Sequence, residues 1–329
     1  MDQRQKTKRF GICVILCACI LRLSVAGAAG MFLRHMVQTG KFSILTYLET
    51  GRNVRFSSSL EKKMDFFRES PGPWIPQLEK PSFSEADATL VEVDYDCAYR
   101  PDLETLISRP LDWDLTGPDP TVLILHTHTT ESYTKDGETY TETSAYRTLD
   151  ENHNMLSIGD MVAELLERED IPVIHDRQIH DYPSYSGSYV HSRNSIEEIL
   201  SQYPSIRLVL DLHRDALEKD GRQYRPVVQM DGVSAAQLML VVGTDISRKD
   251  HENWQENLAL ALRLQVQLER IAPGIMRPLN LRTQRFNQDL SPGALLVEVG
   301  AAGNTREEAQ KAAEILAKAL ISLSKGTDM

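Results

Sequence analysis

From Pro120 onward the chain alternates short apolar runs with longer stretches in which apolar residues recur every three or four positions. The short runs have the composition of buried strands and the longer stretches that of amphipathic helices, which predicts a compact α/β domain. The pattern predicts strands at Val122 to Leu125, Pro172 to His175, Arg207 to Leu212, Val227 to Met230, Leu238 to Val242 and Ala294 to Val299. It predicts helices at Asn154 to Arg168, His191 to Gln202, Asn253 to Ile271 and Thr305 to Leu323. Met155, Ile158, Val162, Leu165 and Leu166 give the first helix an apolar stripe, and Leu258, Leu262, Leu264, Val266 and Leu268 do so more loosely for the third. The expectation is a single domain over residues 119–324, built on a mostly parallel central sheet flanked by helices and followed by a tail at 325–329.

The amino-terminal third is patterned differently. Arg4, Lys6, Lys8 and Arg9 precede an apolar stretch that runs from Phe10 to Leu33 with one interruption, Arg22. Roughly 24 such residues suffice to cross a bilayer at ~1.5 Å per residue, and an arginine near the centre costs ~2.5 to 3.5 kcal/mol on insertion scales. Residues 1–36 therefore read as a cytoplasmic tip and transmembrane helix, with a signal peptide cleaved between Ala26 and Ala29 as the competing reading. Either reading places the remainder outside the cytoplasm, on a cell membrane it crosses once at most. Residues 37–118 are mixed, with no sustained period, a Pro71-Gly-Pro73 run, Pro76 and Pro81, and read as a juxtamembrane stalk with a short helix around Phe42 to Arg52.

Charge and cysteine content narrow the function classes. A net charge of -11 without clustered Lys and Arg excludes a general nucleic-acid surface. Three of the four cysteines, Cys13, Cys17 and Cys19, lie in the apolar segment, so Cys97 is left without an intrachain partner and the four do not form a metal site.

The candidate chemistry stands at strand ends, where ligands bind in open α/β sheets. Leu123-Ile-Leu-His126-Thr-His128-Thr-Thr-Glu131 carries an apolar run straight into two histidines and an acid, and the two histidines share a face if the strand continues. Asp211-Leu-His213-Arg214-Asp215 repeats the arrangement. Glu298 lies inside the apolar run Ala294 to Val299, where a carboxylate is costly unless paired, hydrogen-bonded or protonated. His128 and His213 as ligands and Glu298 as base would suit zinc, which needs three N or O ligands, an open water position and a proton acceptor. Either histidine alone is equally readable as a structural group, whereas Glu298 is the least readily explained that way. His126 reads as a histidine in or under the strand that supports a ligand. The loops Ser144 to Asn154 and His180 to Ser192, rich in Tyr, Ser, Asp and His, are candidate binding surfaces.

Leu-His-Thr-His-Thr-Thr-Glu-Ser-Tyr133, Asp-Leu-His213-Arg-Asp, Asn287-Gln-Asp-Leu-Ser-Pro-Gly-Ala and Val-Glu298-Val-Gly-Ala-Ala-Gly-Asn-Thr resemble signatures of the stage II sporulation protein P family over roughly residues 119 to 323. That resemblance implies a membrane-anchored, zinc-dependent N-acetylmuramoyl-L-alanine amidase of endospore formation, with endopeptidase activity on peptide cross-links. It implies His128 and His213 as zinc ligands and Glu298 as the catalytic carboxylate. The third ligand stays open. Related amidases use an acid with an Asn four positions on, which Asp150 and Asn154 match, with neighbouring Glu151 as a substitute. His128-x-x-Glu131 instead imitates the ligand pair of zinc carboxypeptidases. Arg214 is a candidate for stabilising the oxyanion or binding a peptide carboxylate, and Arg285, Asn287 and Gln288 for contacting stem peptide or glycan; each is equally readable as a salt bridge or cap. The implied partners are peptidoglycan, the membrane, a transglycosylase and a membrane scaffold of the engulfment machinery, with the domain between the mother-cell and forespore membranes. A zinc carboxypeptidase-like peptidase and a catalytically silent wall-binding scaffold are the alternatives.

Overall fold

In chain order the elements are β1 (Val93–Asp96), α1 (Leu103–Ser108), β2 (Val122–Leu125), α2 (Met155–Glu167), β3 (Val173–His175), α3 (Ser188–Gln202), β4 (Leu208–Asp215), β5 (Glu218–Lys219), β6 (Arg222–Gln223), β7 (Val227–Met230), β8 (Val233–Ala236), β9 (Leu238–Gly243), α4 (Trp254–Ile271), β10 (Leu279–Arg282), β11 (Ala294–Ala301) and α5 (Arg306–Lys325). They come from a computed structural model that describes residues 80–109, 113–230, 232–245 and 251–325.

Seven strands form one sheet in the order β1-β10-β9-β11-β4-β2-β3. β1, β10 and β9 run parallel to one another, as do β11, β4, β2 and β3, and the two groups meet in the antiparallel pair β9 and β11. The sheet is thus mostly parallel, as expected, with one reversal. Because of that reversal, the carboxyl ends of β2, β4 and β11 share one edge, and those of β1, β10 and β9 lie at the other.

Alternation along the strands sorts side chains between the faces. Val122, Ile124, Leu208, Leu210, Leu295 and Val297 join the main core with residues of α2, α4 and α5. Leu123, Leu125, Val209 and Ala294 face the other way, against Ile196 of α3. Every side chain of β2 is fully buried, the near-continuous apolar run expected of a parallel strand covered on both faces. α2 starts where Asn154 Oδ1 accepts the Leu156 amide at 3.0 Å, satisfying one of the amides that a helix start leaves open. Buried Arg263 of α4 donates to the carbonyls of Leu106 (3.2 Å), Ile107 (3.1 Å) and Arg109, closing the end of α1.

The differences from expectation have local causes. β4 and β11 run past their apolar cores, so His213 and Arg214 lie within β4. β7 has the predicted bounds but pairs with β8 in a separate hairpin. β1 (Val-Asp-Tyr-Asp) and β10 (Leu-Asn-Leu-Arg) are short and half polar, and neither was predicted. β1 pairs with β10, and Leu106 and Ile107 of α1 are core residues, so the folded unit reaches into the stretch assigned to the stalk. The expected anchor at 1–36, the stalk to residue 79 with its helix at Phe42 to Arg52, and most of the tail lie outside the described residues. Among the described residues no helix is long and apolar enough to cross a membrane.

Candidate active site

The strand does not continue past Leu125. The chain turns, with the Glu131 amide donating to the His128 carbonyl at 3.1 Å, and His126 and His128 consequently point to different places. His126 is fully buried; its Nδ1 meets the Leu212 carbonyl at 3.0 Å and its Nε2 the Nε2 of His175 at 2.9 Å. His175 Nδ1 lies in turn 3.0 Å from Asp160 Oδ1. α2 passes over this pair at Gly159, where a Cβ would come within 2.5 Å of both Nε2 atoms. His126 is thus buried just past the end of β2, in contact with β4 through the Leu212 carbonyl and with His175.

His128 faces the site. Its ring lies 5.1 Å from that of His213 and nearly perpendicular to it, 4.5 Å from the Tyr185 ring in a stack, and 5.6 Å from Tyr189 edge to face. Its Nε2 is 3.1 Å from the Tyr185 hydroxyl, while its Nδ1 is buried and has no partner. Burial, then the charge on His213, pulls its pKa down to about 4. His213 has Nε2 2.9 Å from Asp211 Oδ1, without the alignment of a hydrogen bond, and Nδ1 3.6 Å from Glu131 Oε2. Burial opposes charge on this imidazole, but Asp211 and then Glu131 outweigh it and hold the pKa well above the usual histidine value. Asp211 is itself fixed by the amide (2.8 Å) and hydroxyl (2.6 Å) of Thr127.

Two glutamates complete the cluster. Glu131 is buried and takes Arg147 Nη2 at 3.2 Å, the Arg214 amide at 3.2 Å and Arg214 Nη1 at 3.4 Å. Burial alone would raise its pKa; Arg214, and after it His213, bring it down to about 2. Glu298 lies opposite His213 in the β4–β11 register. Its Oε2 is shielded from solvent and has no partner, and burial pushes its pKa up to about 8 against a smaller opposing pull from His213. The strand breaks register just beyond it, between Glu298 and Ala301, where Gly300 has φ +72°, a conformation glycine adopts without strain.

Other expected site residues stand elsewhere. Asp150 closes a turn, accepting from the Asn152 amide at 3.0 Å and lying 3.0 Å from His153 Nδ1; it touches none of the four residues above. The Asp150 and Asn154 spacing therefore reflects a turn followed by a helix cap. Glu151 pairs with Arg177 at 2.6 Å. Arg214 is buried with its guanidinium on Glu131, the Ser132 carbonyl (3.1 Å) and the Tyr146 carbonyl (3.0 Å), so it orients Glu131 and the loop after β2. Arg285 pairs with Asp289 at 3.1 Å. Asn287 donates to the Tyr189 carbonyl at 2.8 Å, and the Gln288 amide bridges Gly243 N and Val241 O at 2.8 Å each, so both tie a loop to its neighbours rather than face a ligand. Reading by residue type missed Asp211, Arg147, Asp181 and Tyr185. Asp211 was legible, because it stands two before His213 on the same strand face.

Residues 60–321 match the sequence profile of Stage II sporulation protein P (SpoIIP). The chain belongs to this family. It is 30% identical over 215 residues to the curated Stage II sporulation protein P of Bacillus subtilis (strain 168), an alignment covering 61% of this chain and 50% of that protein. The chain therefore spans about half the length of that relative. Similar solved structures include N-acetylmuramoyl-L-alanine amidase AmiC2 of Nostoc punctiforme, 16% identical, with a TM-score of 0.40 over 63% of this chain and 98% of that one. The CwlD amidase from Clostridioides difficile in complex with the GerS lipoprotein is 18% identical, with a TM-score of 0.37 over 61% and 94%.

The SpoIIP match includes β1, α1 and all of His128, Glu131, His213 and Glu298. Among the described residues no three His, Cys, Asp or Glu side chains are grouped as metal ligands, and Glu131 is drawn to its two guanidiniums. The donor chemistry nevertheless suits zinc. Nε2 of His128 lies 3.1 Å from the Tyr185 hydroxyl and Nε2 of His213 2.9 Å from Asp211 in an unaligned ion pair, while Nδ1 of His128 is orphaned and Nδ1 of His213 faces Glu131. A histidine ligand held from behind through its second nitrogen is the usual arrangement around zinc. His128, His213 and Glu131 are the residues that could hold the ion, with Glu298 beside them.

Proposed function

We propose that this chain is a zinc-dependent peptidoglycan hydrolase, an N-acetylmuramoyl-L-alanine amidase that also cleaves stem-peptide cross-links, acting in septal wall thinning and engulfment during endospore formation. The observation that carries the reading is the gathering of two buried imidazoles, the buried Glu131 and the half-buried Glu298, two carboxylates of opposite proton affinity, at one sheet edge. Family membership supports the sporulation setting.

His128, His213 and Glu131 would hold the zinc, which when bound would supply Lewis acidity at the amide carbonyl and an acidified water. Glu298 as the carboxylate would take the proton of that water and as the acid would return it to the leaving amine; burial, which holds its proton up to about pH 8, suits the donating half of that role. Arg214 and Arg147 keep Glu131 ionised and in place, and Asp211 orients His213. The expected setting is the extracytoplasmic side of a membrane, on a single amino-terminal anchor, beside a transglycosylase and a membrane scaffold.

One observation favours a second reading, a carboxypeptidase-like peptidase: the acid beside the histidines is Glu131 of His-x-x-Glu, not Asp150. Digestion of purified peptidoglycan by the full chain, with mass analysis of the products, separates the two. The amidase reading expects free muramoyl lactyl groups and intact stems. Trimmed stem ends alone would assign the site to the second reading, and no release at all would leave only a wall-binding scaffold.

A further inference from the structure

Every guanidinium that bonds Glu131 competes with a metal ion for the same carboxylate lone pairs. The two arginines at Glu131 are held in different ways. Arg214 gives its amide to Oε2 at 3.2 Å and its Nη1 to Oε1 at 3.4 Å, while its other side-chain nitrogens are fixed on the carbonyls of Ser132 and Tyr146. Arg147 divides its fork between two acids. Its Nη2 reaches Glu131 Oε1 at 3.2 Å, and its Nη1 reaches Asp181 Oδ2 at 2.5 Å and the Thr130 hydroxyl at 3.3 Å. A guanidinium facing a single carboxylate commonly pairs with both of its oxygens through two parallel N–H bonds. Here Asp181 occupies one arm, so Glu131 takes one bond from Arg147, on Oε1. Oε2, the oxygen 3.6 Å from His213 Nδ1, is left with the Arg214 amide.

Asp181 is built into this place. Its side chain has no exposure, and it accepts the Thr130 amide at 3.1 Å and the Thr130 hydroxyl at 2.7 Å. The loop that carries it, between β3 and α3, is pinned by His180 Nε2 at 3.2 Å from Asp176, by the Ser195 hydroxyl on the same carboxylate, and by the Thr129 hydroxyl on the Gln178 carbonyl at 2.9 Å. Fastening two loops together is the plainer account of Asp181. A neutral acceptor would serve the Thr130 bonds, however, whereas burying a carboxylate is costly unless its charge is paired. The charge of Asp181 is paired with Arg147.

We propose that Asp181 is a positioning residue for the third metal ligand: by holding one arm of Arg147, it stops that guanidinium from closing on both oxygens of Glu131 and keeps Oε2 available to a divalent cation. The proposal rests on the zinc site described above, in which Glu131 is a ligand.

The test measures the zinc dissociation constant of the full chain by competition with a chromogenic chelator. Asp181→Asn keeps an oxygen for Thr130 and gives up the charge, and it should weaken zinc binding about tenfold, as loss of an outer-shell partner does. Adding Arg147→Gln to Asp181→Asn should bring the affinity back to the wild-type value, because the released guanidinium is then gone. A role confined to fastening the loops predicts no such rescue, since the second substitution only removes another contact. Asp181→Asn protein that binds zinc as wild type does would overturn the proposal, and so would a double variant as weak as Asp181→Asn alone. Should Asp181→Asn fail to fold, Arg147→Gln alone decides. Arg214 still holds Glu131 in that variant, so zinc should bind at least as tightly as to wild type, and weaker binding would sink the role given to Asp181. A wild-type chain that binds no zinc would remove the zinc site and this role together, whereas wild-type binding that none of these variants alters removes the role and leaves the site.

Discussion

The loop after β2 and the middle of β11 each place a glutamate against the same histidine, and they do opposite things with it. In the loop, Glu131 sits between Arg147 and Arg214, and Arg214, followed by His213, outweighs its burial, so its carboxyl stays ionised down to about pH 2. In β11, Glu298 has one oxygen with no partner and only a weaker pull from His213, and burial holds its proton up to about pH 8. The same side chain is held as a negative charge in one place and keeps its proton in the other, because Arg147 and Arg214 contact Glu131 while Glu298 is left with an unpartnered oxygen. Pushing two titratable groups apart by their surroundings is how a site separates a charge-holding role from an acid–base role.

Replacing the proton carrier should have the largest effect. Glu298→Gln keeps the shape and removes the base, so wall digestion should fall by about 10²- to 10⁴-fold while zinc content, measured on the purified protein, stays at the wild-type level. Wild-type release of wall fragments by this variant would end the division of labour between the two acids.

The pH dependence of stability sharpens the contrast, measured on chelated protein so that only the side chains titrate. An unfolded glutamate has a pKa of about 4.3. Glu131, with its folded value lowered to about 2, contributes stability that is complete above about 4.3 and lost as pH falls through 2. Glu298, with its folded value raised to about 8, contributes stability that is complete below about 4.3 and lost as pH rises through 8. Melting temperatures should therefore shift in favour of Glu298→Gln over wild type between pH 5 and 8, and in favour of Glu131→Gln over wild type between pH 5 and 2. Differences that stay flat with pH in both variants would mean that the two environments are alike after all.

The smallest effect is expected at the acid that stands apart. Asp150→Asn should leave zinc stoichiometry and wall digestion at wild-type levels, with stability within about 0.5 kcal/mol as for a surface position. Loss of zinc in this variant would move the third ligand from Glu131 to Asp150.

Much of this site was legible because its residues interrupt apolar runs: His128, His213 and Glu298 are chemically abrupt where β2, β4 and β11 end or run on. The geometry between them was less so. Strand period could not show that the chain turns at His126, because that turn is fixed by Thr127 on Asp211 and by Thr130 on Asp181, contacts 84 and 51 residues away in sequence. β1 and β10 escaped notice because two of the four residues in each are polar. Asn287 and Gln288 looked like ligand-facing amides and instead satisfy backbone groups, a use that composition cannot distinguish. The Tyr-rich loop before α3 was visible as a candidate surface, but its contact with His128 needed coordinates.

The order of the strands has a consequence for how such a chain comes into being. Glu131 meets Arg214 across 83 residues of sequence, and His213 meets Glu298 only once β11 has been inserted between β4 and β9. Contacts of such long sequence separation form late and slowly, because the loop entropy must be lost before any pairing offsets it. Until β11, the last strand in the chain, takes its place between β4 and β9, Glu298 does not stand beside His213, so the cluster is incomplete in every copy synthesised only as far as β10.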